Sequence, residues 1–187
     1  MPVSSPPLVV ITGACGGIGS SLVDRFGGSG VRLALCDLDP NALDGLRHPA
    51  IVGRFGFDLT DRSACETQAE RVIRECGVPD IVVSNAGWTR AETLNETDGD
   101  RWRFEMDANL TGTRDFTTPL LQAMRARRSG SFVFVSSVNA LGHYGNPAYA
   151  AAKAGLLAYM RAIAVECGPD GIRANAVCPG SVRTQAW

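Results

Sequence analysis

Leu8-Val-Val-Ile11, followed by Thr12-Gly-Ala-Cys-Gly-Gly-Ile-Gly19, is a β-rich run that breaks into a glycine turn. Ser20 to Phe26 then spaces its apolar residues as an amphipathic helix does, so the stretch reads strand, turn, helix. Glycines at such a junction let the backbone turn tightly. They also let a diphosphate approach the exposed amides and positive dipole of a helix N-terminus. The spacing is G-x-x-x-G-x-G, not the commoner G-x-G-x-x-G, and glycine turns also serve purely as connections.

The same rhythm continues along the chain. Val31 to Cys36 is a second strand ending at Asp37, where a carboxylate can take the ribose hydroxyls of an adenosine; Asp37 or Asp39 can equally cap a helix before Pro40. Ile51 to Phe57 is a third strand, running into Asp58-Leu59-Thr60, with Thr60 or Asp61 capping a helix over Ser63 to Cys76. Asp80 to Val83 is a fourth strand closing at Ser84-Asn-Ala-Gly87, where small residues admit close approach. Residues 88 to 100 form a surface connection capped into a helix with Trp102, Phe104 and Met106. Ser131 to Val135 and Ile172 to Val177 are the fifth and sixth strands. The alternation predicts an α/β fold, a Rossmann-type doubly wound parallel sheet in a single domain over 1–187. Right-handed crossovers gather the strand C-termini, and with them the ligand site, on one edge.

Composition narrows the function. A formal net charge of -1 leaves no basic excess for a nucleic acid or an anionic membrane, and Leu8 to Ile11 is too short to span a bilayer. Residues 1–7 lack the basic start and apolar run of a signal peptide, so a soluble cytoplasmic protein is expected. Six cysteines without a C-x-x-C pair, beside only two histidines, predict reduced thiols and no metal site. Cys15, inside the glycine turn, reads as a small filler residue.

Tyr149-Ala-Ala-Ala-Lys153 opens an Ala-rich helix soon after Ser136 and Ser137. A spacing of four places Tyr149 and Lys153 on one helical face, where an ammonium favours a phenolate; a packed aromatic beside a snorkelling lysine has the same spacing. Ser136 or Ser137, at a strand end on the ligand edge, can converge with Tyr149 on one substrate atom. Asn109 interrupts a helical run over Asp107 to Arg128 and either faces water or makes a specific hydrogen bond. The helix from Ala148 to Val165 is apolar nearly all round, which predicts one face on the sheet and another on a partner helix.

Taken in order, TGACGGIG, Asp37, Asp58, SNAG, Asn109, SS, YAAAK and PGSVRT resemble the short-chain dehydrogenase/reductase family over almost the whole chain. The resemblance implies that Gly13, Gly17 and Gly19, with Gly16 and Ile18, shape a diphosphate turn. It implies that Asp37 and Leu38 meet the adenosine ribose, and that Asp58 and Leu59 border the adenine. Asn85, Ala86 and Gly87 would line the cofactor floor, and Pro179, Gly180, Val182 and Thr184 would approach the nicotinamide. Tyr149 becomes the acid/base, with Lys153 lowering its pKa and holding the nicotinamide ribose. Ser137 orients the substrate oxygen, and Asn109 holds a water behind Lys153.

The implied activity is NAD-dependent, reversible hydride transfer between the nicotinamide and a secondary alcohol or carbonyl, in a homodimer or homotetramer formed through the 148–165 helix. Asp37 carries the NAD preference, because a carboxylate repels a 2′-phosphate. Relatives run on past the equivalent of Thr184 into a substrate-covering loop, a helix and a seventh strand, so the chain is expected to be C-terminally short. An NAD(H)-binding protein without turnover is the competing expectation.

Overall fold

The computed structural model describes residues 5–184. Its elements are β1 (Leu8–Thr12), α1 (Gly17–Gly27), β2 (Arg32–Asp37), α2 (Pro40–Gly45), β3 (Ile51–Gly56), α3 (Arg62–Cys76), β4 (Ile81–Ser84) and α4 (Gly99–Met106). A π-helical turn (Asp107–Thr111) leads directly into α5 (Gly112–Arg127), followed by β5 (Gly130–Val135), α6 (Pro147–Cys167) and β6 (Ile172–Val177). The strands form one sheet in the order β3-β2-β1-β4-β5-β6, and every pairing is parallel. This is the doubly wound Rossmann-like arrangement expected from the sequence.

Alternation along β1 shows why both faces need cover. Val10 points into a cluster with Val82, Phe132, Phe134 and the helix residues Val72, Phe116, Leu120 and Leu156 of α3, α5 and α6. Its neighbours Val9 and Ile11 point the other way, onto Val23 of α1, Leu43 of α2 and the β2 residues Leu33 and Leu35. A strand buried on both sides reads as an unbroken apolar run, and Leu-Val-Val-Ile-Thr is buried at every position. Each such side chain contributes about 1.5–3 kcal/mol by leaving water. On the edge strand β6 the pattern alternates, with Ile172 and Ala174 buried and Arg173 and Asn175 exposed. No helix among the described residues is long and apolar enough to cross a membrane.

Helix starts follow the polar residues before them. Asp39, not Asp37, caps α2 by accepting the Asn41 N–H at 2.8 Å. Asp61, not Thr60, caps α3 through the Ala64 N–H at 3.0 Å, and Asp98 caps α4 through the Arg101 N–H at 2.9 Å. Helix α1 begins at Gly17, inside the glycine turn, so its first amides lie against the end of β1. The helix expected from Asp107 onward is continuous with α4 but carries the π turn, a local widening that often marks functional sites.

Gly112, directly after that turn, presses against the β3–α3 loop. A Cβ there would collide with the Leu59 carbonyl oxygen and come within 3.0 Å of the Asp107 carbonyl oxygen. Gly112→Ala is therefore expected to lower stability by about 1–3 kcal/mol. Gly168 has helical angles and nothing within 4 Å of an added Cβ, so Gly168→Ala is expected to be neutral or stabilising by up to about 1 kcal/mol. Urea unfolding midpoints of the two variants against the parent check both.

Candidate active site

The strand order reverses between β1 and β4, and their diverging loops leave a crevice at the C-terminal edge. Backbone and side-chain bonds stitch its floor. The Thr12 hydroxyl accepts the N–H groups of Asn85 at 3.1 Å and Ala86 at 3.0 Å. The Asn85 amide returns two bonds, to the carbonyls of Thr12 at 3.1 Å and Gly13 at 3.0 Å. Gly13 makes the turn at φ +63, and a Cβ on it would come within 2.8 Å of the Ala86 Cα. A left-handed residue pressed against backbone has to be glycine.

Two adjoining cavities occupy the crevice. One, of about 450 Å³, is walled by Gly13, Gly16, Gly17 and Ile18 of the turn, Asp37 and Leu38 after β2, and Asp58 and Leu59 after β3. Asn85, Ala86, Gly87 and Thr184 also line it, with Thr12, Cys36, Phe57, Thr60, Trp88, Phe104 and Ala108. The second, of about 660 Å³, holds Ser137, Tyr149, Lys153, Pro179, Gly180, Val182 and Thr184. Ile18, Asn85, Gly87, Trp88 and Thr184 belong to both walls, which makes them compartments of one cleft. Gly19 lines neither: it lies beneath the turn, where a Cβ would strike the Gly13 carbonyl.

At the glycine turn, the α1 N-cap is Gly16, which has no side chain with which to cap the helix. The Asp37 carboxylate accepts the Cys15 N–H and the Leu38 N–H, both at 2.8 Å, which fixes its plane beside the turn. Burial first, then that carboxylate, push the Cys15 thiol up to about 12, so it stays protonated and unreactive at neutral pH.

Around Tyr149 the two serines have separate partners. Ser136 is buried and donates to the Lys153 carbonyl at 2.9 Å, fastening β5 to α6. The Ser137 hydroxyl bonds the Tyr149 hydroxyl and accepts the Asn139 N–H at 3.2 Å. Lys153 Nζ donates to the Val135 carbonyl at 3.0 Å and lies 5.5 Å from the centre of the Tyr149 ring. Asn109 is wholly buried, which removes the water-facing alternative. Its Oδ1 accepts the Trp88 N–H at 3.1 Å, and its Nδ2 donates to the Trp88 carbonyl at 2.6 Å. Gly87 separates Asn109 from Lys153: a Cβ there would come within 2.7 Å of Asn109 Oδ1 and 3.1 Å of Lys153 Nζ.

The 88–98 connection is strapped to the start of α6. Asn146, left-handed at φ 54, accepts the Glu92 N–H on its side chain at 2.8 Å and donates its own N–H to the Glu92 carbonyl at 3.0 Å. Trp88 and Phe104 meet edge-on at 5.0 Å on the cleft wall. Sequence reading missed Glu105 altogether. It is 6% exposed and receives the Asn109 amide at 2.9 Å; its position one helical turn before Asn109 was the available signal.

Burial dominates the electrostatics of the two groups. The Tyr149 phenol is held above its ordinary value, chiefly by burial; the Ser137 hydrogen bond draws it down and the Glu105 carboxylate raises it. Burial takes the Lys153 ammonium down to about 8, with Glu105 opposing. Both shifts have one physical origin, the loss of water around a charge.

Because Lys153 binds its proton less tightly when folded than unfolded, it costs stability below pH 8, and the cost disappears as pH rises toward 10.5. Lys153→Met removes that dependence. The stability difference between variant and parent is expected to shift by about 3 kcal/mol in the parent's favour from neutral to strongly alkaline pH. Denaturant unfolding across that pH range measures it.

A family model described as short chain dehydrogenase matches residues 7–187. Among curated relatives, the uncharacterized short-chain type dehydrogenase/reductase y4mP of Sinorhizobium fredii is 36% identical over 94% of this chain and 74% of its own length. The 3-oxoacyl-[acyl-carrier-protein] reductase FabG of Thermotoga maritima is 35% identical over the same shares. A crystal structure of a short-chain dehydrogenase/reductase family oxidoreductase from Burkholderia thailandensis superposes with a TM-score of 0.89 at 44% identity, covering 98% of this chain and 72% of that one. By its fold, its cleft and its sequence, this chain belongs to the short-chain dehydrogenase/reductase family.

Proposed function

We propose that the protein is an NAD-dependent oxidoreductase that interconverts a secondary alcohol and its carbonyl, with Tyr149 as the acid/base. The observation that carries this is a single cleft in which the Tyr149 and Ser137 hydroxyls and the Lys153 ammonium face one compartment while the glycine turn and Asp37 line the other. The residues fit a dinucleotide. Side-chain-free glycines open the α1 N-terminus to a diphosphate, and the oriented Asp37 carboxylate suits ribose hydroxyls and repels a 2′-phosphate.

When bound, the nicotinamide supplies the hydride acceptor or donor. The chain supplies the proton and the geometry. Ser137 donates to or accepts from the substrate oxygen while Tyr149 exchanges its proton with that same oxygen. Lys153 stands behind Tyr149 as a cation near its pKa, able to take part in proton exchange. Asn109, bonded to Trp88 at both ends of its amide, holds Gly87 and the floor beside Lys153. A phenol raised by burial keeps its proton at neutral pH, the form that protonates a carbonyl; alcohol oxidation needs the phenolate. Reduction is therefore favoured at lower pH, and oxidation accelerates as pH rises.

Tyr149→Phe is expected to lower turnover about 100- to 10,000-fold on whichever alcohol a screen of secondary alcohols identifies, with NADH binding retained. Full turnover in that variant removes the assignment. Asp37→Ala is expected to narrow the preference for NADH over NADPH in calorimetric titrations, and unchanged discrimination removes the NAD reading.

A further inference from the structure

Glu105 is a buried carboxylate that the proposed chemistry does not use. It sits on α4, one helical turn before Asn109, and its Oε2 receives the Asn109 amide at 2.9 Å. The remaining acceptor capacity is filled by the Arg90 N–H at 3.2 Å and the Thr89 side chain. The Asn109 amide has two ends that differ in character, a donor NH₂ and an acceptor oxygen. A carboxylate accepts only, so it adds to the Trp88 carbonyl and the Glu105 backbone carbonyl in drawing Nδ2 to that side, leaving Oδ1 toward Gly87 and the Trp88 N–H.

The charges around Glu105 come from three directions. On the 88–98 connection Glu92 faces it, already paired with Arg101 of α4 at 2.6 Å and approached by Arg90 at 3.9 Å. On α6 its field reaches both Tyr149 and Lys153. Burial holds the Glu105 carboxyl itself above its ordinary value.

We propose that Glu105 is a positioning residue for the reaction centre: together with Trp88 it holds the Asn109 amide with Oδ1 toward Gly87 and Lys153, and it sets a negative potential at Tyr149 and Lys153. The inference rests on the reading of Tyr149 as the acid/base. Neutralising Glu105 lets both groups lose their protons at lower pH, so the two shift in the same direction.

Glu105→Gln keeps the shape and removes the charge. The Tyr149 phenol is followed directly by ultraviolet tyrosinate absorbance, taken as the difference between each protein and its Tyr149→Phe counterpart. Its midpoint is expected to move down by about one pH unit, and the acid limb of the alcohol-oxidation profile is expected to move with it. Lower turnover with both positions unmoved would mean that Glu105 only packs α4, and overturns the proposal. If the spectroscopic midpoint moves while no alcohol is oxidised, the Glu105 inference stands and the assigned reaction falls. Should Glu105→Gln not fold, Glu105→Asp is read instead: it keeps the charge but draws it back from the amide. That variant is expected to show a midpoint near the parent's with reduced turnover, and undiminished turnover would refute the positioning role.

Discussion

Everything at the cleft depends on the hydrogen bonds between the ends of β1 and β4. In an all-parallel sheet the chain must leave each strand at the same edge, and where the strand order reverses, successive crossovers depart to opposite faces. The gap this creates is filled by the Thr12 hydroxyl and the Asn85 amide, which satisfy backbone groups that neither strand can pair further. From that joint, Gly13 leads into the glycine turn on one side and Gly87 leads to Asn109 and Lys153 on the other. The two compartments share a floor because they share this joint.

The second constraint is the burial of charge. Lys153 and Glu105 are buried and the Tyr149 phenol is half-buried beside them, so their proton affinities respond to one another more strongly than on the surface. Lys153 donates to the Val135 carbonyl, on the last residue of β5, so the ammonium is anchored to the sheet while it lies over the Tyr149 ring. Ser136 ties the backbone of the same lysine to β5. The paired contacts hold α6 at a defined depth, and Tyr149 with it.

The connection between β4 and α4 shows how a segment without regular structure becomes part of the site. Glu92 and Asn146 exchange hydrogen bonds across it, Trp88 closes on Phe104, and Asn109 grips Trp88 from the π turn. This surface connection thus fixes the entry of α6 and walls both compartments.

Much of the fold was legible in the sequence because burial on two faces writes itself as unbroken apolar runs. Leu8 to Ile11 needed no tertiary information to be read as such a strand, the alternating Ile172 to Val177 reads as a strand by its period of two, and the glycine turn, Asp37 and the Tyr149–Lys153 spacing placed the cleft at the strand C-termini. Local chemistry settles such features: helix period, strand period and the steric freedom of glycine act over a few residues. Tertiary structure alone decided which of two neighbouring polar residues took a task. Ser136 turned to the Lys153 carbonyl and Ser137 to the Tyr149 hydroxyl, Asp39 capped a helix while Asp37 faced the turn, and Asn109 went inward. It also decided the direction of the Tyr149 and Lys153 shifts and brought Glu105 to bear on both. Desolvation and through-space charge depend on what the whole fold packs around a group, and no spacing along the chain encodes that.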